Sequence, residues 1–286
     1  MKAALLTLTL TVALLVLPGV PCASPASRAA QPFTIPLHRY QGRLRTMRVL
    51  IGGQAFDFLF DTGGGLTLVA PAVAARARCV PAGRSVGYRM SGERLDVPLC
   101  TGTIPIELGA WHTAVAGAGV LDVMKLLPAG WPPLSGVVSL HTFAGRAITL
   151  DLAHDRVIVE TPASLAARVR RMTPLEGRLA TGMDGAAVSL FVAARAGGGK
   201  LWFELDTGNL DVIQLAPYAA RLLGVADAPA NVTLRLAPSH VITAPARRRR
   251  EVIYDGVLSE AALARDVYTM DLATGRLWVD RGGSPG

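Results

Sequence analysis

The chain has 286 residues, 51% of them apolar and 17% charged, which is enough for one large domain or two modest ones and excludes a disordered segment. Its 30 glycines and 19 prolines break Val-, Leu- and Thr-rich runs at short intervals, a pattern of many short strands joined by turns. The formal net charge of +8 favours anionic surroundings, but no nucleic-acid-binding motif accompanies it, so no nucleic-acid partner is expected.

From the N-terminus, Lys2, the apolar residues 3–17 and Pro18-Gly19 read as a secretory signal too short to span a membrane. Small residues around Ser24 to Ala26 place cleavage after Ala26, giving a signal peptide of residues 1–26. The expected mature protein is periplasmic or secreted, with no stable membrane insertion. Lipid attachment at Cys22 is the alternative, and Pro21 occupies the place where that processing wants a small residue. Export leaves Cys79 and Cys100 in an oxidising compartment, where a disulfide is expected, with two separately buried thiols as the other reading.

Beyond the signal, one series of landmarks runs twice. The first copy begins at residues 33–37, turns at Gly52-Gly53 and climbs an apolar strand, residues 56–60, into Asp61-Thr62-Gly63. A second apolar strand follows, then Pro71 and a short helix over residues 72–76. Residues 85–97 read as a hairpin with its turn near Ser91 and Gly92. After Gly136-Val137-Val138-Ser139, a hairpin over residues 148–159 closes the copy. Residues 161–171 form the boundary, with a bridging helix over 163–169. The second copy begins at residues 172–175, turns at residues 197–199 and climbs residues 201–205 into Asp206-Thr207-Gly208. Pro217 opens the matching helix over residues 218–223, Gly256-Val257-Leu258-Ser259 matches Gly136 to Ser139, and a hairpin over 268–279 closes. Asp151-Leu152-Ala153 aligns with Asp271-Leu272-Ala273 without a gap. The expectation is a mainly β, bilobal protein. Two similar β-barrel lobes, residues 31–165 and 166–286, would be related by a pseudo-twofold axis with a cleft between them.

Two such lobes let Asp61 and Asp206 meet across the axis. A pair of carboxyls sharing one proton can make a water more basic on one side and a carbonyl more electrophilic on the other, which is what peptide hydrolysis without a metal or covalent nucleophile requires. In each triplet Asp supplies the carboxyl, Thr62 or Thr207 a hydroxyl that braces the loops, and Gly63 or Gly208 lets backbone N–H groups come close. One such triplet arises easily by chance; two at equivalent places in a repeat do not. Ordinary Asx-type turns after strands are the bland reading.

Apolar strand, Asp-Thr-Gly, apolar strand, then a short Ala- and Arg-containing helix: this succession resembles the bacterial retropepsin-like aspartic proteases, and its duplication in one chain resembles the bilobal pepsin arrangement. The resemblance covers nearly everything after residue 33. It implies an acid-protease-like fold, an aspartic endopeptidase with Asp61 and Asp206 as catalytic dyad, and Thr62 and Thr207 exchanging hydrogen bonds. It also implies a flap over the substrate, for which residues 85–97 with Tyr88 facing the cleft are the best placed. Pepsin-like enzymes follow the triplet with Ser or Thr, where this chain has Gly64 and Asn209. They carry Gly where this chain has Ser139 and Ser259.

Gly83-Arg84-Ser85-Val86-Gly87 matches a nucleophile-elbow pattern but precedes a hairpin rather than a helix. His38, His112, His141, His154 and His240 show no metal-ligand spacing, so neither metal nor cofactor is expected. Arg247 to Arg250 read as a solvated loop. The leading reading is a monomeric endopeptidase acting on peptides or proteins. A catalytically impaired peptide-binding protein of the cell envelope is the second, and a basic binder of anionic envelope components through Arg247 to Arg250 the third.

Overall fold

The computed structural model describes residues 31–88, 93–182, 185, 187–196 and 198–281. The signal segment, Cys22 and the expected turn at Ser91 and Gly92 lie outside the described residues. From Gln31 onward the chain is one compact unit, and it is mainly β.

Three sheets build it. The strands of the first half form an open, strongly curved sheet in which Gln54–Phe60 is central. Those of the second half close into a barrel: Ala187–Ala196, Gly199–Asp206, Gly256–Ser259, Ile213–Leu215, His240–Arg248 and Ala230–Ala237, the last returning to the first through Arg195 opposite Arg235. The third sheet has six strands and draws on both halves. Phe33–Pro36, Arg156–Val159 and Ala147–Asp151 meet Asp266–Asp271, Arg276–Arg281 and Thr173–Leu175 in that order. Its midline falls between Ala147–Asp151 and Asp266–Asp271, where Thr149 faces Thr269 and their hydroxyls lie 2.8 Å apart.

Each triplet stands at the end of a strand gripped in the same way. Gly136–Val138 runs parallel to Gln54–Phe60, Val138 opposite Phe60, and antiparallel to Leu68–Val69. Gly256–Ser259 runs parallel to Gly199–Asp206, Leu258 opposite Leu205, and antiparallel to Ile213–Leu215. Both of these inserted strands begin with glycine because no side chain fits: a Cβ at Gly136 would lie 2.2 Å from the Leu68 carbonyl oxygen, and one at Gly256 2.5 Å from the Phe203 ring. Period-2 alternation then sends Phe58, Phe60, Phe203 and Leu205 into one continuous core, each at most 1% exposed. At about 1.5–3 kcal/mol per buried side chain, these anchors hold the triplets rigidly.

The helices are short. Pro71–Arg76 and Pro217–Leu222 each start on proline, whose missing N–H costs nothing in a first turn. Pro162–Val169 bridges the halves, its N-terminus closed by a capping box between Thr161 and Ser164. Cys79 and Cys100 form a disulfide across 21 residues of sequence, tying the end of the first helix to strand Arg94–Thr101. A disulfide of this kind belongs to an oxidising, exported compartment. Among the described residues no helix is long and apolar enough to cross a membrane.

One expectation is corrected. Arg247 and Arg248 are not in a loop but extend strand His240–Arg248, because Ile213–Leu215 pairs with them, Gln214 opposite Arg247. Arg247 and Arg249 both reach the Asp211 carboxylate, at 3.4 and 2.7 Å, and Arg248 contacts Asp227.

Candidate active site

Asp61 and Asp206 sit side by side in a groove that both of them line. The closeness is visible in the glycines opposite. A Cβ on Gly63 would lie 2.5 Å from the Asp206 carboxyl carbon, and a Cβ on Gly208 2.4 Å from that of Asp61. Within each triplet the glycine N–H donates to its own aspartate, Gly63 to Asp61 Oδ1 and Gly208 to Asp206 Oδ1, both at 2.9 Å.

The threonines cross-link the two loops. The Thr62 hydroxyl donates to the Leu205 carbonyl at 2.7 Å and accepts from the Thr207 N–H at 3.1 Å. Reciprocally, the Thr207 hydroxyl donates to the Phe60 carbonyl at 3.1 Å and accepts from the Thr62 N–H at 3.0 Å. Four hydrogen bonds among fully buried groups therefore fix the spacing of the carboxyls.

Burial is the main force on both acids, since it disfavours the charged form. It raises Asp61, against which the hydrogen bond to Asp206 and the N–H groups of Gly63, Gly64 and Gly208 work. It raises Asp206 well above the ordinary carboxylate value, with repulsion from Asp61 and Glu204 adding to it. The consequence is a pair that keeps one proton well above the usual carboxylate range.

The groove has two arms meeting over Gly63 and Gly64. One, of about 400 Å³, contains both aspartates and is walled by Leu59, Leu68, Val123 and Leu127. The other, of about 460 Å³, is walled by Thr181, Ser189, Phe191, Ile253 and Tyr254. Tyr88 lines both arms and is 61% exposed. It ends strand Val80–Tyr88, which with Arg94–Thr101 forms the expected hairpin, Ser85 opposite Val97. The disulfide fastens the other end of this hairpin, where Pro81 faces Cys100.

The four positions that depart from the pepsin-like pattern take other work. Gly64 has no side chain to offer Asp61. Asn209 Oδ1 accepts from the Asp211 N–H at 3.0 Å and the Gln214 amide at 3.2 Å, while its buried Nδ2 has no partner among the described residues. The Ser139 hydroxyl donates to the Gly65 carbonyl at 3.1 Å and lies 3.2 Å from Thr67, bracing the first loop from below. The Ser259 hydroxyl is buried and has no partner among the described residues.

Sequence reasoning passed over Glu204. It is 3% exposed and shares the field of both aspartates. Burial pushes it up to about 8, with the Asp61 charge adding and Ser189 opposing. The signal was a lone acid in the apolar run Leu201, Trp202, Phe203, Leu205.

No protein-family model matches the chain, and no curated protein does. Its fold is shared by solved seed proteins. Conglutin gamma, a unique basic 7S globulin from lupine seeds, aligns with a TM-score of 0.56 at 10% identity over 88% of this chain and 95% of that one. The basic 7S globulin from soybean gives 0.54 at 11% identity over 87% and 94%. At such identities the likeness is one of fold alone.

Proposed function

We propose that this protein is an exported, monomeric, bilobal aspartic endopeptidase of the retropepsin-like kind, with the halves at residues 31–165 and 166–286 as its lobes. The carrying observation is the Asp61–Asp206 pair, brought together in one groove by the packing of Gly63 on Asp206 and Gly208 on Asp61 and by the reciprocal Thr62 and Thr207 bonds. In this reading an extended peptide lies along the groove beneath Tyr88. Asp61 and Asp206 act as reciprocal base and acid: the ionised carboxyl of the pair takes a proton from a water that attacks the scissile carbonyl, and its protonated partner donates to the carbonyl oxygen. The proton then passes to the leaving amine as the C–N bond breaks, and the dyad returns to its starting state.

The test is cleavage of a peptide mixture by wild type and by the Asp61→Asn and Asp206→Asn variants across the acidic to neutral range. Wild type is expected to cleave and each variant to lose at least about a hundredfold, the lower end for a general acid or base. Full activity in both variants would sink the assignment.

Gly64 and Asn209 favour a second reading, a peptide-binding envelope protein with little or no chemistry, because neither supplies a hydroxyl to the dyad. Binding of peptides without cleavage at any pH would establish it.

A further inference from the structure

The two strands that carry the triplets are built alike, and one seat differs. Leu59 lies two residues before Asp61 and Glu204 two residues before Asp206, so each shares a strand face with its aspartate. Each faces a valine of the inserted strand, Leu59 opposite Val137 and Glu204 opposite Val257. Leu59 lines the 400 Å³ arm, within an apolar cluster that includes Val123, Leu134 and Val137. Glu204 stands in the ladder opposite Phe191, and Ser189 lies two residues from Phe191 on the same strand face. Phe191 and Ser189 both line the 460 Å³ arm.

A carboxyl in this seat is costly to the fold, since burying an ionisable group is unfavourable even when it is hydrogen-bonded. Leucine in the mirrored seat shows that the architecture does not need it. We propose that Glu204 and Ser189 form a polar subsite beside the dyad, which takes an uncharged hydrogen-bonding side chain of the substrate, glutamine or asparagine, while the residue in the Leu59 arm is apolar. The inference rests on the groove being a peptide-binding cleft. Below about pH 8 Glu204 is a neutral carboxylic acid, offering one donor and one acceptor, the complement of a carboxamide. A lysine there would first have to ionise it. An alkyl side chain would leave a buried polar group unmatched, which is the strongest way for a site to reject a ligand.

The experiment uses four peptides identical except for their central pair: Leu-Leu, Leu-Gln, Gln-Leu and Gln-Gln. Binding is measured by fluorescence anisotropy on the Asp61→Asn variant, and cleavage on the intact protein. One mixed pair is expected to bind about tenfold tighter than Leu-Leu, the worth of one matched buried hydrogen bond. Glu204→Leu in the same background should return the preference to Leu-Leu, and the isosteric Glu204→Gln, which retains a donor and an acceptor, should keep it. If Glu204→Leu does not fold, Ser189→Ala, which is expected to weaken the preference, decides. Leu-Leu bound as tightly as either mixed pair, a preference indifferent to these substitutions, or no peptide binding at all would overturn the subsite. Selective binding without cleavage supports the subsite and removes only the catalytic reading; cleavage without selectivity does the reverse.

Discussion

Gly208→Ala is the sharpest probe of the dyad, because it adds one methyl group at a defined place. Gly208 does not have a left-handed φ, so alanine fits the backbone and the effect is purely steric. The new Cβ would stand 2.4 Å from the Asp61 carboxyl carbon and 2.5 and 2.6 Å from its oxygens, where ordinary contact begins near 3.4 Å. The carboxyl or the loop must therefore move by about 1 Å, and overpacking of that size costs about 1–3 kcal/mol. For a chain of this length that is a fall in melting temperature of about 2–4 °C per kcal/mol. A displacement of about 1 Å at the reacting groups costs about a hundredfold in rate. Thermal unfolding by circular dichroism and kcat/KM on a cleaved peptide read the two effects. Gly199→Ala is the control: its Cβ would meet nothing closer than 3.8 Å, and its effect should stay within about 0.5 kcal/mol. If Gly208→Ala melts with wild type and keeps its rate, the two loops are not packed as described.

Three other outcomes follow from the same geometry. Thr62→Ala strips a buried N–H and a buried carbonyl of their partner and should cost about 1–3 kcal/mol in urea unfolding, as should Thr207→Ala. Because the two hydroxyls belong to one lattice, the double variant should lose measurably less than both singles together, and strict additivity would argue against it. Reducing or deleting the Cys79–Cys100 bridge, which closes a loop over 21 residues of sequence, should lower stability by about 3 kcal/mol, and an unchanged urea midpoint would contradict this. Glu204, raised from 4.5 to about 8, binds its proton more tightly in the folded chain than in the unfolded one. Its contribution is fully present below pH 4.5 and is lost as the pH rises through that window, by a few kcal/mol at about 1.4 kcal/mol per unit. Glu204→Gln should flatten that slope, and an unaltered pH dependence of unfolding would refute the assignment.

What the sequence revealed was what is local or repeated. Alternation before Asp61 and Asp206, the turn at Gly52-Gly53 and the proline-opened helices each depend on a few adjacent residues, so the strands and helices around both triplets were legible. The closing hairpins were legible too, but not their pairing with each other through Thr149 and Thr269, since nothing within either hairpin encodes a partner 120 residues away. The same holds for Arg247 and Arg249. Read alone they are a charged loop; Ile213–Leu215 draws Arg247 into a strand, and Asp211 pairs with the charges of both. Glu204 was hidden for another reason. Its strand looked like the rigid support of Asp206, and only the fold shows that Glu204 pairs with Phe191, a wall residue of the second arm.

Where the halves remain alike and where they part has a physical order. Gly63 packs on Asp206 and Gly208 on Asp61, while each threonine hydroxyl spans to the opposite backbone. Any change in one triplet therefore lands on the carboxyl of the other half, and the two are constrained together. One residue further on, at Gly64 and Asn209, no such reciprocal contact exists, and the halves diverge. Leu59 lines one arm of the groove, while Glu204 stands opposite Phe191 of the other, so one can become polar without disturbing the other. Symmetry thus persists where it sets the distance between the carboxyls, and ends where a substrate, which has no twofold axis of its own, would be recognised.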